Sequence, residues 1–200
     1  MFLAVDTASD ILSVALMEGQ EVLGYRESST PQAQGEQLFI LTQELFDELH
    51  LSPSSLTGVG VCVGPGSFTG VRIGLAAAKG LGLALNIPVM GATSFEVFAE
   101  GLEKPATVIL DTKKNSFWVQ SFDADGQAVS PVSLLSAEEI QRHSFSFVVG
   151  SGATRVAELT GCSVVSKKYP SSVAVGRIVA GRLDNPLPPV ALYCKDPYVS

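Results

Sequence analysis

The chain has 200 residues, of which 46% are hydrophobic and 16% are charged, and this balance supplies a core and excludes an intrinsically disordered chain. Its net charge of −7 is uneven, with −9 over residues 1–103 and +2 over residues 104–200. Because nucleic acids are bound through Lys and Arg, the acidic half argues against nucleic-acid binding by the chain alone. The same half could dock on a basic protein partner.

Composition also indicates the cellular compartment. Cys62, Cys162 and Cys194 are an odd number of widely spaced thiols, which is typical of reduced cysteines in a cytoplasm and of neither a disulfide framework nor a zinc site. No basic segment precedes Asp6, so we expect no signal peptide. The most apolar region, residues 73–95, is interrupted by polar residues and a proline, so we expect no membrane span.

The first fifty residues predict a meander followed by a helix. Residues 2–6, 12–16 and 21–25 are apolar or alternating runs separated by turn signals, which favours three antiparallel strands. Leucines then recur at helical spacing, which predicts a helix over residues 36–49 that ends before Ser52 and Pro53.

Four further elements follow in the first half. Residues 59–63 have the composition of a buried strand, and a glycine-rich turn separates them from a helix of small residues over 69–85. Residues 87–92 predict another strand, and Thr93 or Ser94 is placed to cap the helix that follows.

The pattern restarts in the second half. Residues 108–112 repeat residues 3–7 at an offset of 105, and Gly19-Gln20 and Gly126-Gln127 occupy matching turns. This agreement favours a duplicated α/β unit, divided into residues 1–103 and a smaller domain at 104–200, over chance recurrence of Asp-Thr.

The glycine-rich turn has two interpretations. Its spacing is GxGxxxG, which matches neither the dinucleotide fingerprint nor a P-loop, and Pro65 excludes a nucleophile elbow at Ser67. A phosphate cradle at a helix N-terminus and a tight structural turn both remain open. The loop residues are Gly64, Pro65, Gly66, Ser67, Phe68, Thr69 and Gly70.

The helix after this loop carries two ladders of small residues. One is Gly70, Gly74, Ala78 and Gly82, and the other is Ala76, Gly80 and Ala84. Glycine inside a helix costs about 1 kcal/mol, so close packing must offset it, either on the protein's own sheet or on a partner helix. Because the helix is apolar on nearly all sides, the partner is favoured. The predicted interface comprises Leu38, Leu41, Leu45, Gly70, Ile73, Gly74, Ala77, Ala78, Leu81 and Gly82.

Candidate catalytic residues are few. Asp6 and Asp111 end strands, where a carboxylate positions a metal or phosphate or caps a turn. His50 and His143 lie in unrelated contexts and indicate no metal site or catalytic triad.

Several motifs together resemble the TsaB, or YeaZ-type, family. The residues that carry the resemblance are the stretch from Gly64 through Arg72 to Leu81, the two strand-Asp-Thr starts, and Pro189-Val190-Ala191-Leu192-Tyr193. The resemblance implies an α/β fold of the actin, Hsp70 and sugar-kinase type, with two related domains. It also implies that Asp6, Thr7 and Asp111 mark a vestigial nucleotide site, because Ala8 stands where ATP-binding relatives have glycine.

The function implied by the resemblance is that of a non-catalytic subunit. Such a protein binds and activates a TsaD-type paralogue in the synthesis of threonylcarbamoyladenosine beside the tRNA anticodon, together with a TsaE-type ATPase. ATP and metal belong to the partner subunits, tRNA is met only through the complex, and the isolated chain is expected to form a homodimer. Many members of the family begin the first helix with a segment like His-Ser-Glu, whereas this chain has Gln34-Gly35-Glu36, and this departure leaves the apolar stripe of the helix intact. The alternatives are an ATP-dependent small-molecule or sugar kinase of the same fold and a glycoprotease-like peptidase.

Overall fold

The apolar runs form the strands of two separate sheets. The computed structural model describes residues 1–29 and 34–193, so Cys194 lies outside the described residues. Within them the chain divides into unit 1, Met1–Val97 with Pro170–Tyr193, and unit 2, Phe98–Tyr169.

Unit 1 is built on a five-stranded mixed sheet in the order β3-β2-β1-β4-β5. The first three strands form the predicted antiparallel meander, and β4 and β5 continue the sheet in parallel with β1. The strands are β1 (Phe2–Asp6), β2 (Leu12–Glu18), β3 (Glu21–Ser28), β4 (Gly58–Cys62) and β5 (Val89–Ala92). The helices of this stretch are α1 (Gln34–Glu48), α2 (Phe68–Leu85) and α3 (Ser94–Ala99).

Local signals set the ends of these helices. The Ser67 side chain accepts a hydrogen bond from the Gly70 N–H at 3.2 Å and caps α2, while Asn86 ends it in the left-handed region with φ 54°. At α3, the Thr93 N–H donates to Glu96 Oε2 at 2.7 Å and the Glu96 N–H donates to Thr93 Oγ1 at 3.2 Å. The predicted cap before α3 is therefore confirmed at Thr93.

Unit 2 repeats the topology of unit 1. Its sheet has the order β10-β9-β6-β7-β8, so that each unit places its first strand between an antiparallel hairpin and two parallel strands. The elements are β6 (Ala106–Asp111), β7 (Ser116–Phe122), β8 (Ser133–Ser136), α4 (Ala137–Ile140), β9 (Phe147–Val149), α5 (Ala153–Thr160) and β10 (Ser163–Val164). The predicted duplication is confirmed.

The two units are not the consecutive halves that the sequence predicts. The last helix, α6 (Ser171–Ala180), packs on β1, β2 and β4, and its valines are almost completely buried there. The change of unit falls at Val97, before residue 103, and the chain returns to unit 1 at Pro170. An apolar helix is free to cover whichever sheet face is open, so its place in the chain order does not fix its unit.

Candidate functional site

The glycine-rich loop packs against the chain's own first turn. The Ser67 N–H donates to the Ala8 carbonyl at 2.7 Å, and the Thr7 hydroxyl donates to the Gly70 carbonyl at 2.7 Å. A Cβ added at Gly66 would collide with the Ala8 carbonyl oxygen, and one at Gly70 would collide with that of Thr7. Backbone therefore fills the space that these glycines open. The geometry therefore favours the interpretation of the loop as a structural turn.

Asp6 belongs to a buried polar cluster at the carboxyl ends of β1, β4 and β5. Its Oδ1 accepts a hydrogen bond from the Ala8 N–H at 2.7 Å, and the side chain is 3% exposed. Cys62 Sγ lies 3.3 Å from Ser94 Oγ. Burial raises the pKa of the Cys62 thiol well above its ordinary value, and the negative charge of Asp6 adds to the rise. Asp6 thus caps a turn beside a neutral thiol.

Asp111 has the equivalent place in unit 2. Its Oδ1 accepts from the Lys113 N–H at 2.6 Å, and its Oδ2 lies 3.6 Å from Arg155 Nη1. The Asp111 carboxylate therefore caps a turn, as Asp6 does, and also forms an ion pair with Arg155. Over residues 1–29 and 34–193, no three His, Cys, Asp or Glu side chains are grouped as metal ligands.

The predicted partner interface is corrected by the burial of its residues. Gly70, Gly74, Ala78 and Gly82 face the protein's own sheet, where added Cβ atoms would collide with Thr7 at Gly74 and with Val89 at Gly82. The other predicted residues belong to the core of unit 1, with Leu38, Leu41 and Leu45 buried and Ile73, Ala77 and Leu81 half-buried against them. The ladder that was expected to meet a partner therefore holds α2 on its own sheet.

The second ladder lies on the opposite, exposed face of α2. Ala76, Gly80 and Ala84 are exposed, Leu83 is 86% exposed, and a Cβ at Gly80 would meet no atom within 4 Å. On the neighbouring α1, Phe39 and Ile40 are 54% and 48% exposed. We call these six residues the α1/α2 face.

The helix α2 is apolar enough to be compared with a membrane-spanning helix. By length and composition this helix could cross a membrane, with a mean hydropathy of 1.3 over 18 residues. Its capped start and its buried glycine ladder instead fit a helix that covers a sheet.

The C-terminal motif is structural as well. The Gly91 N–H donates to the Leu187 carbonyl at 2.7 Å and the Leu192 N–H to the Val63 carbonyl at 2.8 Å, so the segment after α6 runs along β5 to the glycine-rich loop. The sequence signals this segment only through its prolines and its resemblance to the family, because its partners lie about a hundred residues earlier.

Comparison with known proteins identifies the family of this chain. A family model described as TsaD, tRNA N6-adenosine threonylcarbamoyltransferase, matches residues 29–144. The Escherichia coli tRNA threonylcarbamoyladenosine biosynthesis protein TsaB is 33% identical over 99 residues, which are 50% of this chain and 42% of that protein. The chain belongs to this family, on its TsaB/YeaZ branch.

Two other proteins match over more of the chain. A Mycobacterium leprae protein without an assigned function is 28% identical over 200 residues, 98% of this chain and 55% of that protein. The chain spans about half the length of this relative and of Escherichia coli TsaB. A solved Pseudomonas aeruginosa structure, described as similar to the peptidase YeaZ, superposes with a TM-score of 0.80 at 19% identity and covers 97% of this chain and 99% of its own.

More distant structures support the fold itself. Three of them align with TM-scores of 0.52 to 0.54, one of which is a dehydratase activator with bound ADPNP. The fold is the predicted actin, Hsp70 and sugar-kinase type, with two related α/β units.

Proposed function

We propose that this chain is a non-catalytic subunit that binds and activates a TsaD-type protein in tRNA threonylcarbamoyladenosine biosynthesis. Membership of the TsaB/YeaZ family supports the pathway, and the match to the TsaD model supports a related protein as the partner. In this proposal the protein works in the cytoplasm, a TsaE-type ATPase joins the complex, ATP and metal sit on the partners, and tRNA is met only in the complex.

The exposed α1/α2 face is the observation that carries the proposal. Small residues at Ala76, Gly80 and Ala84 leave the backbone of α2 open to close approach by another helix. Leu83, Phe39 and Ile40 add exposed apolar side chains that a partner would remove from water. In the absence of the partner, we propose that a second copy of the chain covers the same face as a homodimer.

The test is a binding measurement between the purified chain and the TsaD-type protein of the same organism. Replacing Gly80 by Leu puts a large side chain in the middle of the face without touching the interior, so the fold should persist. Overpacking costs about 3 kcal/mol at the upper end, which corresponds to a loss of affinity of more than about a hundredfold. Gly80→Ala should have a smaller effect in the same direction.

A control separates this effect from added surface hydrophobicity. Thr154→Leu places the same side chain on the exposed side of α5 and should leave the affinity unchanged. Normal binding by Gly80→Leu would put the partner on another surface. Magnesium-dependent ATP turnover by the isolated chain would contradict the non-catalytic role and favour the kinase alternative.

A further inference from the structure

An arginine is held against an aromatic ring at the first turns of α2. The guanidinium carbon of Arg72 lies 3.7 Å from the centroid of the Phe68 ring and 6.0 Å from that of Tyr193. The two rings have centroids 5.3 Å apart. Arg72 Nε donates a hydrogen bond to Tyr193 Oη at 3.1 Å. We call these three residues the Arg72 cluster.

The cluster is assembled from two distant parts of unit 1. Phe68 and Arg72 are one helical turn apart on α2, whereas Tyr193 is brought to them by the segment that pairs with β5 and with Val63. The guanidinium lies over the Phe68 ring, and the hydrogen bond from Nε to Tyr193 Oη restricts its rotation. The side chain is thus oriented before anything binds to it.

The outward end of the guanidinium is open. Arg72 is exposed, and its two Nη groups make no hydrogen bond with residues 1–29 or 34–193. Other arginines of unit 1 are occupied, since Arg26 pairs with Glu48 and Arg182 pairs with Glu96. An oriented pair of N–H donors of this kind matches the two oxygens of a carboxylate or phosphate.

We infer that the Arg72 cluster receives an aspartate or glutamate side chain of the TsaD-type partner, and this inference rests on the proposed function. Phe68 is 54% and Tyr193 45% exposed, so exposed aromatic surface lies beside the guanidinium. Arginine and aromatic residues dominate the energetics of protein interfaces. Arg72 also lies one turn before Ala76, so the cluster continues the α1/α2 face.

The charge of unit 1 favours a protein carboxylate over the phosphates of an RNA backbone as the anion that Arg72 binds. Over Met1–Val97 and Pro170–Tyr193 there are eleven acidic and five basic side chains. An RNA backbone would bring many phosphates against this negative field, and its affinity depends on many cations. A single carboxylate in an apolar setting needs only one guanidinium.

The experiment measures the dissociation constant for the TsaD-type protein by isothermal titration calorimetry with five variants of the full chain. Arg72→Ala should weaken binding by at least about 30-fold, the loss typical of a hot-spot arginine. Arg72→Lys should weaken it nearly as much, because an ammonium lacks the planar pair of donors. Tyr193→Phe keeps the ring and removes the acceptor of the Nε hydrogen bond, so a loss of several-fold is expected.

Arg26→Ala is the matched control, because it removes the same charge from unit 1 at a side chain that already has a partner. It should change the affinity by less than about twofold, as expected for an exposed ion pair. Arg72→Glu should then be rescued by reversing one acidic residue of the partner.

The outcomes separate the inference from the proposed function. If the wild type binds the partner and Arg72→Ala binds it equally well, the inferred role of Arg72 as a carboxylate receptor is overturned and the proposed function stands. No binding by the wild type overturns both. A loss of tRNA affinity in Arg72→Ala with unchanged partner affinity would assign the cluster to RNA phosphate and contradict the inference.

Discussion

Thr7 links the first strand of unit 1 to the start of α2. It is fully buried, donates its hydroxyl hydrogen to the Gly70 carbonyl at 2.7 Å, and sits where a side chain on Gly70 or Gly74 would have to go. The glycines of the family signature in this region therefore permit a contact within the chain. Glycine-rich loops at helix N-termini bind phosphates in other proteins, whereas in this chain the turn after β1 contacts the glycines.

Paired alanine substitutions in α2 test this assignment. Gly80→Ala adds a methyl group in open space and improves helix propensity, so it should stabilise the protein by about 1 kcal/mol. Gly70→Ala forces a Cβ against the Thr7 carbonyl and should destabilise it by about 3 kcal/mol. For a chain of this size, each kcal/mol shifts the melting temperature by about 2–4 °C, which thermal denaturation resolves. Equal melting temperatures for the two variants would contradict the contact.

The Cys62 thiol predicts a specific alkaline sensitivity. Burial, and secondly the charge of Asp6, raise its pKa in the folded state, so folding favours the protonated thiol. That advantage is constant below the unfolded pKa of about 8.5 and is lost as pH rises above it towards the folded value. Between pH 8 and pH 10, the melting temperature of the wild type should therefore fall more than that of Cys62→Ala. The reason is that about one thiol ionises when the wild type unfolds, whereas the variant has no thiol at this position. A difference independent of pH would contradict this account.

At the scale of the element, α4 begins with a reciprocal cap. The Ser136 N–H donates to Glu139 Oε2 at 2.8 Å, and the Glu139 N–H donates to Ser136 Oγ at 3.2 Å. The hydrogen bond from the Ser136 backbone, and then that from its side chain, lower the pKa of Glu139. The ionised carboxylate therefore stabilises the helix above the unfolded pKa of about 4.3, and this contribution disappears as pH falls through the folded value.

Glu139→Gln removes the charge and keeps an oxygen acceptor. We expect faster amide exchange in α4 at pH 6 than in the wild type, and we expect this difference to shrink as the pH is lowered and the wild-type carboxylate is protonated. Glu138→Gln, which changes the neighbouring acid without disturbing the cap, is the control. Identical exchange at pH 6 for wild type and Glu139→Gln would show that the carboxylate does not hold the cap.

The sequence patterns predicted which segments form helices and strands better than they predicted which other elements each segment packs against. The meander, α1, α2 and the cap of α3 follow from alternation, helical spacing and local capping, which act over a few residues. The sequence patterns did not predict which side of α2 faces the sheet, because both of its ladders consist of small residues. The ladder that faces the sheet is decided by Thr7 and Val89, which belong to other elements. The role of Tyr193 at Arg72 was hidden for the same reason.

At the scale of the whole molecule, the duplication explains the topology and α6 breaks its symmetry. Both units repeat one order of strands, and the internal similarity at an offset of 105 residues revealed this. The return of the chain to unit 1 after Pro170 had no counterpart in the sequence pattern. Val173, Val175 and Val179 of α6 are at most 3% exposed and cover one side of the first sheet.

This arrangement predicts different fates for two fragments. Residues 1–103, the domain that the sequence suggests, lack α6 and would expose the apolar side of β1, β2 and β4. Burying a valine contributes about 1.5–3 kcal/mol, and the stability of a whole domain is only about 5–15 kcal/mol, so the loss of three valines is enough to unfold it. This fragment should aggregate or bind a hydrophobic dye.

Residues 98–169 keep all five strands of unit 2 and a buried cluster of their own around Ile109, Phe117 and Ile140. We expect this fragment to be soluble, with dispersed amide signals and a cooperative melt, when both fragments are studied by NMR and circular dichroism beside the full chain. Val175→Asp in the full chain is the complementary variant, because it buries a charge between α6 and the sheet of unit 1 and leaves unit 2 complete. It should unfold the amides of unit 1 while those of residues 98–169 stay protected. A folded 1–103 fragment with native-like exchange would show that α6 is dispensable and that the domain boundary suggested by the sequence is the physical one.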